Sequence, residues 1–272
     1  SSVNLGGHLN VAHGKKRNHK VSAVNAGTIK LDGKNGVDIV ATKVNGQDVT
    51  IRTEGNVSVS AGANYEHHTN TGFALNLSGG VKDQVWTPAA GSASLNIDIA
   101  RNQSNTAGHS SAGNLDIQAG KDLTFTGDSL TANHVTGHVA GNVSTQGTQS
   151  VTHEGTLNLA ASGAGSFTPY EPGKVLEGLK KDWENGTIAG ISAQAKGDGH
   201  YVHKIESDHG PVGLTANHSN LKVDGKQTVA PDASEKHIQA GFEFDVGTNI
   251  KERLEKGQPL AYGDVYVDRD PK

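Results

Sequence analysis

Fourteen histidines invite a metal-binding reading of this 272-residue chain, and their spacing decides against it. His134 and His138 are four apart on an expected strand, so they share a face but stand roughly 13 Å apart. One zinc ion with Zn–N bonds of about 2.0 Å does not bridge that gap. His67 and His68 are adjacent and point to opposite faces of a strand. His200, His203 and His209 converge only if the chain bends between them. Ser207-Asp208-His209 holds the residue types of a catalytic triad, but such groups are assembled in space and direct adjacency gives the wrong geometry. The chain has no nucleophile elbow, phosphate-binding loop, dinucleotide fingerprint or calcium-binding nonapeptide. It also has no cysteine, hence no disulfide, thiolate ligand or Cys nucleophile. No catalytic residue, cofactor or metal ligand is assigned, and a non-enzymatic protein is expected. Trp86, with Tyr65 and Phe73, forms the candidate binding surface, because exposed aromatics anchor many interfaces.

The elements that must position those residues follow from composition and pattern. Only 33% of residues are hydrophobic and 4% aromatic, while 36 are glycine. Such a chain cannot fill a thick core with large side chains; it suits either disorder or thin repetitive β structure built on Val, Ile, Leu and Ala, and its regular spacing favours the second. The net charge of −4, with both signs dispersed, leaves no footprint for nucleic acid. Lys15-Lys16-Arg17 is a short basic run of the kind usually just solvated. No stretch reaches the roughly 18 apolar residues of a membrane span. The opening SSVNLGGHLN lacks a basic start and an apolar run, and Met is absent, so an interior fragment of a longer protein is expected.

Self-comparison reveals a repeat of 86 residues, aligning 9–60 with 95–146. Ile29 and Leu31 fall on Leu115 and Ile117, Val37 and Ile39 on Leu123 and Phe125, and Val49 on Val135. Apolar positions and glycines agree while the polar residues between them drift, as expected where packing is the main constraint. Within the unit Gly27, Gly36, Gly46 and Gly55 each precede a short alternating run, and Gly27 to Gly46 spans 19 residues. Alternation places Ile29, Leu31, Val49, Ile51, Val57 and Val59 on one buried face. A β-sandwich also accommodates regular short strands; the 19-residue spacing and low aromatic content favour a parallel β-solenoid. Fully coiled at about 4.8 Å per coil, the chain would make a rod of roughly 65 Å.

Residues 61–111 interrupt the coils with apolar runs around Phe73–Leu77 and Leu95–Ile99, read as a β-hairpin or longer strand pair leaving the body. Residues 1–20 read as the end of an equivalent excursion. Residues 1–164 are expected to form the solenoid, and 165–272 a degenerate continuation or a small α+β capping module. In 172–186, Val175, Leu176, Leu179 and Trp183 share a helical face, with Pro172 before it and Gly186 after it. Trp183 is expected in a core. SDHGPVGLTANHSNLKV reads as one degenerate strand unit. A shorter helix over 249–256 has Asn249 and Glu252 as a capping box and Gly257 as its stop.

NAGTIKLDGKNGVDIVATKVNGQDVTIRTEGNVSVSAG (25–62) and SSAGNLDIQAGKDLTFTGDSLTANHVTGHVAGNVSTQG (110–147) resemble the haemagglutinin repeats of two-partner secretion exoproteins. That family includes filamentous haemagglutinin and the contact-dependent growth inhibition exoproteins, and the resemblance covers about residues 1–160. It implies an all-β, right-handed parallel β-helix with hairpin excursions, exported through an outer-membrane partner transporter and displayed outside a Gram-negative cell. The resemblance implies no catalytic residue. It implies a host-cell or bacterial surface receptor and leaves two roles open: an adhesive segment, or a filament that helps deliver a C-terminal toxin to neighbouring bacteria.

Overall fold

The computed structural model describes residues 2–82, 85–165, 171, 173–185, 187, 191–208, 210–231, 234–247 and 250–269; side chains of residues 2, 3, 81, 82, 85–89, 183 and 191 lie outside the description. The described chain is mostly strand and forms three sheets.

Two sheets are parallel and five-stranded. One contains β2 (Ser22–Gly33), β4 (Thr42–Thr53), β8 (Ser110–Ala119), β10 (Ser129–Val139) and β14 (Gly213–Val223), neighbours in that order. The other contains β3 (Gly36–Val40), β5 (Asn56–Ser60), β9 (Leu123–Thr126), β11 (Val143–Gln146) and β15 (Gln227–Val229), again in chain order. This pairing is compatible with a β-helix. Equivalent side chains stand in columns across the strands: Ile29, Val49, Leu115, Val135 and Ser219 form one, and Val37, Val57, Leu123, Val143 and Gln227 another.

The columns explain the repeat physically. Ser22 pairs with Thr42 and Ser110 with Leu130, steps of 20 residues, whereas Asn45 pairs with Ser111, a step of 66. The two steps together make the 86-residue repeat. The 19-residue glycine spacing is not the structural period: Gly46 lies opposite Ala26, and Gly36 opposite Asn56. Gly27 and Gly46 lie inside β2 and β4, so a glycine can slip by one residue while the inward side chains stay in register.

Side chains from both parallel sheets pack into one core cluster that includes Ile51, Val57, Leu115, Ile117, Leu123 and Phe125. Five of the six residues expected on the buried face are buried, and Leu31, on an edge strand, is partly buried. At the other edge the core thins, with Ser219 and Gln227 in apolar columns and Val229 left 81% exposed. Five strands spaced about 4.8 Å apart rise only about 20 Å, well short of the fully coiled rod, because so much of the chain enters the third sheet.

That sheet is antiparallel and seven-stranded: β1 (Ser2–Arg17), β6 (Gly62–Lys82), β7 (Val85–Thr106), β12 (Gln149–Gly165), β13 (Ile191–Ser207), β16 (Lys236–Val246) and β17 (Ala261–Arg269), in that order. The excursion at 61–111 is the β6–β7 hairpin, and β1 pairs with β6 along its whole length. All three sheets take strands from both sides of residue 165. Asp128, fully buried, ties the sheet to the body: its carboxylate accepts N–H hydrogen bonds from Gly108 and His109, each at 2.8 Å, where the chain returns from β7 to β8.

Helix α1 (Val175–Asn185) connects β12 to β13, and α2 (Ile250–Glu255) connects β16 to β17. Of the apolar face expected on α1, Val175, Leu176 and Leu179 are exposed, Leu176 at 84%, and among the described elements the helix meets chiefly α2. The Trp183 side chain lies outside the described residues, as does Asn249 of the expected capping box. Gly257 ends α2 with φ of 63°, a left-handed turn that glycine adopts without steric cost.

Candidate binding surface

Alternation along an antiparallel strand sends successive side chains to opposite faces, and paired residues share a face. The seven-stranded sheet uses this to separate two chemistries. On one face Leu9, Phe73, Leu95 and Leu159 form a row across four strands, and the neighbouring row runs Val11, Thr71, Ile97 and Leu157. Phe242 and Phe244 prolong these rows on β16, each crossing a glycine of β13. Gly197 and Gly199 are what make room: a Cβ at either would collide with the ring of Phe244 or Phe242. A row on the opposite face runs Asn10, Asn96, Asn158, Asp198, Glu243 and Asp264, with Gly72 between the first two.

The apolar face remains open to solvent. Leu5 is 67% and Val265 75% exposed, and Phe73 44%. Toward the strand tips the rows thin to Gly91, Ala93, Ala161 and Gly163, leaving a shallow trough of about 560 Å³ walled by Leu75, Leu77 and Val246. Helix α2 packs against the other face, where Arg253 reaches Asp245 at 3.4 Å and lies over the Tyr262 ring.

At the base of the same face the rows turn basic. Lys15, His67, Arg101, His153 and His203 are successive cross-strand partners, followed by Ile238 and Arg269. The next row brings Arg17, Tyr65 and, four strands on, Lys236. The Arg101 guanidinium lies 5.3 Å from the centroid of the Tyr65 ring, a cation–π contact.

His153 and His203 stack with centroids 4.4 Å apart and Nδ1 atoms 3.1 Å apart. Desolvation, then His153, then Lys236 lower the His203 pKa from the ordinary 6.5. A depressed histidine favours the fold while neutral, so its stabilising effect is complete above the unfolded value of 6.5 and is lost as pH falls through the lower folded value. Melting temperatures of the wild type and His203→Gln across pH 5 to 8 should therefore diverge only on the acid side, with the wild type losing more. Parallel curves would contradict this coupling.

Of the residues singled out from sequence, Tyr65 and Phe73 fall on this one face, eight residues apart along β6. The backbone of Trp86 pairs with Val81 near the hairpin tip, and its side chain lies outside the described residues. The histidine groups separate. His200 lies on the polar face, where its Nδ1 is 2.7 Å from the Tyr266 hydroxyl, and His203 on the basic face. His209 lies outside the described residues. His134 stacks on His218 of the next strand, and His138 lies 2.8 Å from Asp224. Asp208 accepts hydrogen bonds from Asn105, Thr148 and Ser150, a tie between hairpins. Among the described residues no three His, Asp or Glu side chains gather as metal ligands. Sequence reasoning missed the basic row and the glycine-backed phenylalanines of β16. The local signal was strict alternation in 236–246 and a short one in 9–11.

No described helix is long and apolar enough to cross a membrane. No curated protein and no solved structure matches the chain. Residues 2–162 match the hemagglutinin repeat, covering the parallel strands β2 to β5 and β8 to β11 as well as the first hairpin. The 86-residue columns and the match to that repeat agree, and the chain belongs to the hemagglutinin-repeat family, the repeat region of two-partner secretion exoproteins.

Proposed function

We propose that this chain is a non-enzymatic structural and adhesive segment of a secreted exoprotein displayed outside a Gram-negative cell. In this reading β2–β5, β8–β11 and β14–β15 are successive coils of a right-handed parallel β-helix that supplies length. The seven-stranded sheet, built from the excursions between coils, supplies recognition. The observation that carries the proposal is the open apolar face bearing Tyr65 and Phe73, since ordered strands rarely leave such a surface to water without a partner. Export would use the outer-membrane partner transporter of the two-partner system.

The test is flow cytometry of the labelled 272-residue chain on epithelial cells and on Gram-negative bacteria. Saturable attachment to epithelial cells is expected, with Tyr65→Ala/Phe73→Ala/Trp86→Ala weakening it about ten-fold or more, the scale of losing anchor residues. Binding to bacteria alone would replace adhesion with the toxin-delivery role, and binding to neither would reduce the segment to a spacer.

A further inference from the structure

The seven-stranded sheet separates charge as sharply as polarity. By strand register, Glu66, Asp98, Glu154, Asp198, Glu243 and Asp264 all point to the polar face, as do Glu206, Asp245 and Asp268. Among the described residues of these strands, no carboxylate lies on the apolar face. That face carries Lys15, Arg17, Arg101, Lys236 and Arg269, with four histidines beside them. Composition does not account for this, because the whole chain has 28 acidic against 24 basic residues. The ion pairs described within these strands, Lys16–Glu66, His68–Asp98 and Lys204–Glu206, lie on the opposite face. On the apolar face Arg101 lies over the Tyr65 ring, and Lys236 acts on the stacked His203.

Seven strands at about 4.8 Å, over about ten residues at 3.4 Å each, make a face of roughly 1,000 Å². That exceeds the few hundred Å² of apolar patch ordinary on a monomer. Exposed aliphatic and aromatic rows, bordered by cations with no carboxylate on their own face among the described residues, match a surface that is itself apolar beneath an anionic layer. A second copy of the same face would set basic rows against apolar rows or against one another. Soluble acidic proteins would satisfy the cations and leave the aliphatic rows wet.

We infer that this face binds the surface of an anionic lipid layer, its cations at the phosphates and its apolar rows at the headgroup–acyl boundary. The inference rests on the reading of this sheet as the recognition surface and assigns that surface its chemistry. Lys and Arg near an anionic bilayer add attraction that salt screens, and shallow apolar insertion adds a part that salt spares.

Co-sedimentation of the full 272-residue chain with phosphatidylcholine vesicles, with and without phosphatidylglycerol, tests it. Anionic vesicles should bind at least about ten-fold tighter than neutral ones, and salt should narrow the difference. Arg101→Glu/Lys236→Glu should lose about ten-fold or more of that affinity. Leu9→Ser/Val265→Ser, at edge positions 62% and 75% exposed, should lose several-fold with the charge unchanged, while Lys196→Glu on the opposite face should bind as the wild type. Far-ultraviolet circular dichroism of each variant checks that the sheet persists. Equal affinity for neutral vesicles, or unchanged binding by Arg101→Glu/Lys236→Glu, overturns the inference. Displacement by soluble glycerol phosphate would identify a phosphate site instead and also overturn it. Attachment to cells without vesicle binding removes this inference and leaves the adhesive role standing.

Discussion

Phe125→Ala should lower the unfolding free energy by about 3–5 kcal/mol, the usual cost of truncating a buried phenylalanine. Phe125 is 1% exposed and is the largest fully buried side chain of the core. Its column explains the size of the effect. Ile39 and Val59 precede it, whereas Thr145 and Val229 follow it on β11 and β15. The next strand thus presents a smaller, partly polar side chain, and the ring fills the space that would otherwise open as the core narrows. Surrounding strands are locked in register by backbone ladders, so little collapse into the cavity is available. Phe125→Leu keeps most of the volume and should cost under about 1.5 kcal/mol. Urea unfolding of the three proteins tests this; a loss below about 1 kcal/mol for Phe125→Ala would mean that the core closes over the gap.

The body of the protein was largely legible in the sequence because its constraint is one-dimensional. Each inward residue must match its partner on the neighbouring parallel strand, so Ile29, Val49, Leu115 and Val135 repeat the same apolar type at fixed intervals. Self-comparison finds such columns without knowing the fold. The Gly27-to-Gly46 spacing is one residue short of the true strand step, because these glycines do not mark the register. Gly27 stands inside β2 one position after Ala26, the residue opposite Gly46, and only backbone pairing shows it. Helix α1 was legible as a helix from its 3.6-residue apolar spacing. Its environment was not, since amphipathicity states which face prefers burial and not whether a partner is there.

The candidate surface was legible only in fragments. Alternation in 9–11 and 95–99 marks strands with one apolar side, and Tyr65 and Phe73 draw attention as aromatics in a chain that has few. The basic row is different in kind. Lys15, Arg101, His153 and Arg269 lie far apart in sequence and become neighbours through antiparallel registers between successive hairpins. Those registers depend on hairpin lengths and on where each strand leaves the body, quantities that no local window contains. The absence of carboxylates from the face is likewise invisible until each residue has a face to belong to. Lys15-Lys16-Arg17 illustrates the point: as a run it looks solvated, yet in the strand Lys16 turns to Glu66 on the polar face while Lys15 and Arg17 join the basic side.

Asp128→Ala should cost about 3 kcal/mol and loosen the attachment of the sheet to the body, since hydrogen bonds to a charged acceptor contribute more than neutral ones. The carboxylate is 0% exposed and accepts from the backbone N–H groups of Gly108, His109 and Ser129, all at 2.8 Å. The same residue's carbonyl accepts from Gly213 at the start of β14, so three strand entries meet around it. His109 has φ of 52°, in the left-handed region that a non-glycine residue occupies only at a cost. Its bond to Asp128, with its imidazole Nδ1 2.9 Å from the Ser129 hydroxyl, holds that conformation. Alanine would leave three N–H groups without their acceptor in a site closed to water. The backbone between β7 and β8 would then relax outward to find solvent. Asp128→Asn keeps one acceptor oxygen and should lose less. Amide hydrogen exchange separates this local release from global softening: residues 108 and 109 should exchange much faster in Asp128→Ala while Leu115 and Ile117 stay protected. Uniform loss of protection would instead make Asp128 part of the common core, and unchanged protection at 108 and 109 would deny it the latch.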